Sequence, residues 1–207
     1  MESLKSDILN TATALFKKCG LRSVSIDDVC KELRISKKTF YNYFKQKEEL
    51  IEQVLHSFHE QKRQKDKQPW NCEEGKNVID VLMDLDKKVK INTEDERKHL
   101  AILFDLEKYY PKIFRKHVDI MREQQYEVMK IFINKGLAED VFRQDVDIDL
   151  TALFIASQFG NLKNMAQDKK RKDFLQMFYF FRDVIIRILA NEKGMEYYLK
   201  NYYYLKI

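Results

Sequence analysis

Residues 34–50 read RISKKTFYNYFKQKEEL, and this stretch decides the fold. A tight turn at residues 34–36 ends in a serine, whose hydroxyl can cap a short third helix from Lys37 to about Phe44. Phe40 and Phe44 are four residues apart, so both are expected to face a core. The other sides of this helix then carry basic, hydroxyl and amide groups, which donate hydrogen bonds to phosphates and base edges.

Two further helices are predicted before this stretch. Ser25 can cap the second helix, and Asp28 follows it three residues later, as in a capping box. The first helix runs from about Ser3 to Cys19, where Gly20 stops it because glycine accepts the left-handed conformation at a helix end. Two short helices joined by a three-residue turn have helix-turn-helix geometry.

The rest of the chain also has a helical pattern. A fourth helix begins near Lys47 and ends in a polar stretch before Pro69. Five or six more helices are expected, including one that Pro111 opens and Gly136 stops and one that Asp147 caps. Only 5 glycines and 2 prolines occur in 207 residues. So few breakers favour an all-α fold.

The positive charge is concentrated near the predicted helix-turn-helix. Residues 1–67 carry 14 Lys and Arg against 10 Asp and Glu, an excess of four in a chain whose net charge is +5. Between Arg34 and Lys47 there are five cations and no acid. A basic stretch of this kind suits a surface that faces phosphates, although a solvated lysine-rich face would have the same composition.

Other features of the sequence argue against a membrane or secreted protein. No apolar run approaches the roughly 20 residues of a membrane helix, and the N-terminal residues lack the apolar core of a signal peptide. A cytoplasmic location is therefore expected. Cys19, Cys30 and Cys72 form no CxxC pair, and reduced thiols are the expected state, with a redox switch at Cys19 or Cys30 as the weaker alternative.

Signals for catalysis are weak. Glu96 and His99 have the spacing of a di-iron ligand pair, but such a site needs a second copy and two further glutamates. His56 and His59 lie one helical turn apart, where a solvated or DNA-proximal helix face is expected, and His117 is isolated in sequence. Gly-rich phosphate loops and nucleophile motifs are missing. We therefore expect no enzyme activity, no metal and no cofactor.

Three short motifs carry a family resemblance. Ile35-Ser36-Lys37, then residues 39–44, then Lys47-Glu48-Glu49-Leu50 together resemble the signature of the TetR (tetracycline-repressor-like) family of transcription regulators. The resemblance is strong over residues 5–55. A second, weaker match covers residues 136–162 and looks like the entry to a helix of the family's dimer interface.

The resemblance implies an all-α fold in three parts. Residues 1–46 would be a three-helix helix-turn-helix DNA-binding domain, residues 47–68 a connecting fourth helix, and residues 69–207 a larger helical ligand-binding and dimerisation domain. The implied function is a homodimeric regulator, usually a repressor, that a small molecule releases from a palindromic double-stranded DNA operator. The alternative is a DNA-binding regulator without a small-molecule ligand, either constitutive or controlled by a protein partner.

DNA-contact roles follow from the matched positions. Lys47 and Tyr41 would hold phosphates. The candidates to meet base edges are Lys37, Lys38, Thr39 and Asn42. A capping role for Ser25, a solvated Asn42 and a core position for Tyr43 are the alternatives. The DNA-contact set, with Lys38 added as a cation near DNA, is Ser25, Lys37, Lys38, Thr39, Tyr41, Asn42, Tyr43 and Lys47.

One departure from the family pattern concerns the turn between the second and third helices. Arg34 stands where the family often has glycine. If the turn needs a positive φ there, arginine costs about 1 kcal/mol relative to glycine.

The C-terminal part supplies candidates for a pocket and for a dimer interface. Apolar and aromatic walls are typical of small-molecule pockets, and a packed core is the alternative reading of the same side chains. The pocket candidates are Phe104, Tyr109, Tyr110, Phe114, Met121, Tyr126 and Met129. The dimer candidates are Phe154, Gln158, Leu162, Phe174, Met177, Phe178, Phe181 and Ile185. The tyrosine-rich segment from Tyr197 to Tyr204 is expected to pack on the body or across the dimer.

Overall fold

The structure of the protein is a computed structural model. It describes residues 2–66, 75–84, 94–168 and 171–202, with side chains left out in parts of five helices. The described helices are α1 Glu2–Cys19, α2 Ile26–Leu33, α3 Lys37–Tyr41, α4 Lys47–Asp66, α5 Val78–Met83, α6 Glu94–Tyr109, α7 Pro111–Ala138, α8 Ile148–Asp168, α9 Arg171–Leu189 and α10 Glu192–Tyr202. The all-α prediction is confirmed.

The chain divides into two compact units by its packing. The first unit contains residues 1–62 and 92–120, and the second contains residues 63–91 and 121–207. The domain boundaries expected from the sequence assign residues 92–120 to the C-terminal domain instead. Those expected domain boundaries stay a prediction. In the structure, apolar side chains of α6 and of the start of α7 pack into the core of the first unit.

The core of the first unit joins α1 to α4 with α6 and the start of α7. Amphipathic helices bury one apolar face, and here the buried faces meet around Phe16, Phe40 and Phe44. Leu106 and Ile113 close the same core from α6 and α7. The helix-turn-helix is therefore held by residues some 60 positions downstream as well as by its own helices.

The core of the second unit lies between α5, the later part of α7, and helices α8 to α10. Phe132 and Phe142 are fully buried there, with ring centroids 5.3 Å apart. Gly136 lies inside α7 and does not stop it, so the predicted stop is wrong. A Cβ at this position would lie 2.0 Å from the Phe142 ring, which explains the glycine by close packing rather than by helix termination.

A buried polar cluster fastens the C-terminal helix. The Asp80 carboxylate on α5 accepts hydrogen bonds from the hydroxyls of Tyr197, at 2.9 Å, and Tyr202. Tyr198 donates to Asp183 on α9 at 2.8 Å. Burial, and then the bond to Asp80, raises the pKa of Tyr197 to about 12. Packing of the tyrosine-rich segment on the body is thus confirmed through Tyr202, while Tyr203 and Tyr204 lie outside the described residues.

Candidate nucleic-acid interface

Helix α3 is held at its start and along one face. The backbone N–H of Thr39 donates to the Ser36 hydroxyl at 3.0 Å, as the sequence predicts. Phe40 and Phe44 are fully buried and their ring centroids lie 5.6 Å apart. The helix ends at Tyr41 rather than near Phe44. After it, the backbone N–H groups of Asn42 and Tyr43 bond to carbonyls only three residues back, as in a turn. Packing of Phe40 and Phe44 in the core therefore determines which side of α3 is buried, and the opposite side faces outward.

The turn between α2 and α3 depends on a left-handed residue. Arg34 has φ 55° and ψ 39°, and its N–H bonds the carbonyls of Cys30 and Lys31 at the end of α2. At the other end of α2, the Ser25 hydroxyl accepts from the Asp28 N–H at 3.2 Å. The Asp28 carboxylate accepts from the Ser25 hydroxyl and N–H, which lowers the pKa of Asp28. The predicted capping box is therefore confirmed.

The strain at Arg34 gives a direct stability prediction. Replacing Arg34 with glycine should raise the free energy of unfolding by about 1 kcal/mol, because glycine adopts positive φ without a Cβ clash. Urea unfolding would measure the change. Arg34→Lys is the control, since lysine keeps the charge and the strain and should leave stability nearly unchanged. Equal stability of the glycine variant and the wild type would contradict the role of φ.

Most of the DNA-contact set lies on the outward side of α3. Lys38, Tyr41 and Asn42 are exposed, Tyr41 by 50%. The Lys37 ammonium pairs with Asp27 on α2 at 2.8 Å, and this hydrogen bond raises the pKa of Lys37. The hydroxyls of Thr39 and Ser36 lie 2.8 Å apart. The structure therefore brings cations, hydroxyls and an amide together on one exposed surface, which we call the α3 face (Lys37, Lys38, Thr39, Tyr41 and Asn42).

Three members of the set lie elsewhere. Tyr43 is half-buried against the core of the first unit. Ser25 is exposed and engaged in its cap. Lys47 is half-buried, and its ammonium donates to the Leu21 carbonyl. Lys45 is exposed beside these residues and was not placed in the set, although the acid-free basic stretch includes it.

A histidine pair was missed at the sequence level. His59 of α4 and His117 of α7 are both buried, and Nδ1 of His117 lies 3.0 Å from Nε2 of His59. The expectation of a solvated face at His59 is therefore wrong, and His117, although isolated in sequence, lies beside His59 in the fold. These residues are 58 positions apart, so spacing along one helix gives no signal for their contact.

The pocket candidates are divided between the two compact units. Phe104, Tyr109, Tyr110 and Phe114 belong to the first unit, where Phe104 is 61% exposed. Met121, Tyr126 and Met129 belong to the second unit, and Met129 is buried in its core. The Tyr126 hydroxyl donates to Asp149 at 2.7 Å.

The dimer candidates fall on α8 and α9, and their burial differs. Phe178 and Ile185 are buried within the second unit, and Phe181 packs partly against its core. Phe154 is exposed, while Gln158 and Met177 are half-buried. The side chains of Leu162 and Phe174 lie outside the described residues. Large apolar side chains that are exposed on these two helices form what we call the apolar face, namely Leu150, Leu153, Phe154, Tyr179 and Phe180.

Metal, thiol and membrane features were checked within the described residues. There, no three His, Cys, Asp or Glu side chains form a group that could hold a metal ion. The Glu96 and His99 side chains lie outside the described part. Cys19 is an exposed thiol and Cys30 a buried one, and burial raises the pKa of Cys30. None of the described helices has the length and apolar character that a membrane crossing requires.

The sequence profile of one family matches the N-terminal region. Residues 8–54, which contain α2, α3 and most of α1, match bacterial regulatory proteins of the tetR family. The HTH-type transcriptional repressor KstR2 of Mycobacterium tuberculosis is 25% identical over 163 residues, which cover 75% of this chain and 77% of that protein. The similarity to this repressor therefore extends well beyond the helix-turn-helix.

Two solved structures share the fold over nearly the whole chain. A transcriptional regulator from Saccharomonospora viridis, solved with choline, is 20% identical and covers 93% of this chain and 100% of its own, with a TM-score of 0.65. A transcriptional regulator from Cytophaga hutchinsonii is 15% identical and covers 89% of this chain and 97% of its own, with a TM-score of 0.68. At these identities the likeness concerns the fold.

Proposed function

The chain belongs to the TetR family of DNA-binding transcriptional regulators, and on that premise we propose that it is a homodimeric repressor which a small molecule releases from a palindromic operator. The α3 face is the observation that carries this proposal. It presents two lysines, a hydroxyl, a phenol and an amide on a capped helix that Phe40 and Phe44 anchor. Such groups position a protein on phosphates and read base edges in the major groove.

The apolar face supports the homodimer. Phe180 is 69% exposed and Leu150 is 66% exposed, while neighbouring residues of the same helices lie in the core. Exposed apolar side chains on adjacent helices are typical of subunit interfaces. A second copy of this chain is the partner that we propose, because a twofold dimer applies the same surface from each subunit and matches a palindromic site.

Control by a small molecule is typical of the family, and here it is a proposal. The solved relative that holds choline is one example of a regulator of this fold with a small ligand. An effector that binds one conformer better by about 1–3 kcal/mol would change operator affinity 5- to 150-fold.

In vitro selection of duplex DNA from a random pool tests the proposal. The purified chain should recover a palindromic site, since each subunit applies the same α3 face to one half-site. Recovery of asymmetric sites would contradict the proposed homodimer, and failure to enrich any sequence would contradict sequence-specific DNA binding. Candidate ligands titrated against the recovered site then test effector control, which fails if none of them changes the affinity.

A further inference from the structure

An ion pair joins α2 to the α3 face. Asp27 lies in the first turn of α2, and its carboxylate is 2.8 Å from the ammonium of Lys37, the first residue of α3. The starts of both helices are fixed by side-chain caps, at Ser25 for α2 and at Ser36 for α3. The pair therefore links two backbone positions that local hydrogen bonds hold in place.

Both members of the pair are accessible to DNA. The side chain of Lys37 is 60% exposed and that of Asp27 is 61% exposed. Tyr41 follows Lys37 one helical turn later on the α3 face and is exposed as well. A duplex that meets Tyr41 and its neighbours would thus also meet the Asp27 carboxylate. A negative charge beside a surface that binds a polyanion weakens binding, so its presence there calls for a role.

The pair changes what the Lys37 ammonium can bind. A lysine on its own is a compact charge on a flexible stem, and it can reach phosphates on either side of a groove. Within the pair the two charges offset each other, so the attraction of Lys37 to a phosphate is weak. Asp27 accepts from one of the three ammonium N–H donors, and the other two can still donate to a base edge, such as N7 and O6 of guanine.

We propose that Asp27 is a specificity-determining residue, because its carboxylate holds the Lys37 ammonium beside the base edges of the operator and keeps it from phosphates. Asp27 is a positioning residue in this role and acts through Lys37. The inference rests on the proposed function, since it concerns how the α3 face distinguishes one DNA sequence from another. Specific proteins often combine a favourable contact with the right partner and an unfavourable one with the wrong partner, and Asp27 supplies the second kind.

The ratio of two affinities tests this role. The selected duplex carries the site recovered by in vitro selection, and the scrambled duplex has the same bases in another order. Both affinities are measured by fluorescence anisotropy at one salt concentration, because binding to DNA depends on salt. Asp27→Asn keeps the shape of the side chain and removes its charge. Affinity for the scrambled duplex should rise, and the ratio of selected to scrambled affinity should fall about tenfold or more.

Two further comparisons show whether the effect passes through Lys37. Lys37→Met alone should lower the ratio by a similar factor, and adding Asp27→Asn to it should change the ratio little, because the ammonium to be positioned is absent. Glu32→Gln is the matched control, since it removes the same charge from an exposed position near the other end of α2. It should shift both affinities alike and leave the ratio near the wild-type value. All variants are assayed at a temperature where circular dichroism shows them folded.

Three results would overturn the inference. One is an unchanged or higher ratio for Asp27→Asn. Another is an equal fall of the ratio with and without Lys37, which would mean that Asp27 contacts a base itself, as a carboxylate can at N4 of cytosine. The third is an equal fall for Glu32→Gln, which would make the effect one of general charge. By contrast, a wild-type chain that does not distinguish the two duplexes would count against the proposed function itself.

Discussion

Replacing Phe180 with glutamate should leave the protein monomeric and lower its affinity for the selected duplex by at least about 100-fold. Phe180 is the most exposed of the large apolar side chains in the described residues, at 69%, and it lies on the apolar face. In a twofold dimer each copy would bury a carboxylate, and unpaired or like charges in an interface cost several kcal/mol. About 3 kcal/mol corresponds to roughly 150-fold in a dissociation constant.

Analytical ultracentrifugation and fluorescence anisotropy would measure these two effects together. Gln144→Glu is the control, because it adds the same charge at an exposed position outside α8 and α9. It should leave both the dimer and the affinity near wild type. A Phe180→Glu protein that still sedimented as a tight dimer would show that the subunits meet through another surface.

Asp80→Ala should lower the free energy of unfolding by about 3 kcal/mol. The carboxylate is buried and accepts from two tyrosine hydroxyls and from the N–H of Asn77 at 2.8 Å. Its removal leaves those donors without their acceptor, at about 1–3 kcal/mol for each group that stays buried. For a chain of this length, 3 kcal/mol corresponds to a fall of about 6–12 °C in Tm.

Thermal unfolding at one fixed protein concentration would test this, because the stability of a dimer depends on concentration. Asp84→Ala is the control from the end of the same helix. Asp84 pairs with Lys76 at 3.4 Å in a partly exposed ion pair, and loss of such a pair costs about 1 kcal/mol or less. If both alanine variants melted at the same temperature, the buried cluster would have no special role in holding α10.

Features set by neighbouring residues could be predicted from the sequence. The caps at Ser25 and Ser36 both depend on bonds between residues three positions apart. Phe40 and Phe44 define the buried side of α3 because four residues span about one helical turn. The outward chemistry of the α3 face follows directly from these local rules.

Features set by distant residues could not be predicted in this way. The His59–His117 pair and the bonds from Asp80 to Tyr197 and Tyr202 join positions 58 to 122 residues apart. No periodicity within one helix reports such contacts. The half-buried state of Lys47 has the same origin, since the nearby Tyr110 ring comes from the link between α6 and α7, far from Lys47 in sequence.

Apart from Phe154, the members of the apolar face could not be predicted, for a different reason. Between Leu150 and Ala156, α8 has apolar side chains on several sides, so the sequence pattern does not separate the core side from the exposed side. The structure separates them, with Ala152 and Ile155 buried and Leu153 and Phe154 exposed. On α9 the predicted residues Phe178 and Ile185 lie in the core, while Tyr179 and Phe180 face outward.

Methylation interference at guanine N7 on the selected duplex is the most direct test of the central claim, that two α3 faces enter the major groove. Guanine N7 lies in the major groove, so interference reports contacts there and not in the minor groove. We expect two patches on one side of the duplex, about 10–10.5 base pairs apart and related by the palindrome. Lys38→Met and Asn42→Ala should weaken both patches equally. A single patch, or no interference at any guanine N7 of the selected duplex, would contradict the account.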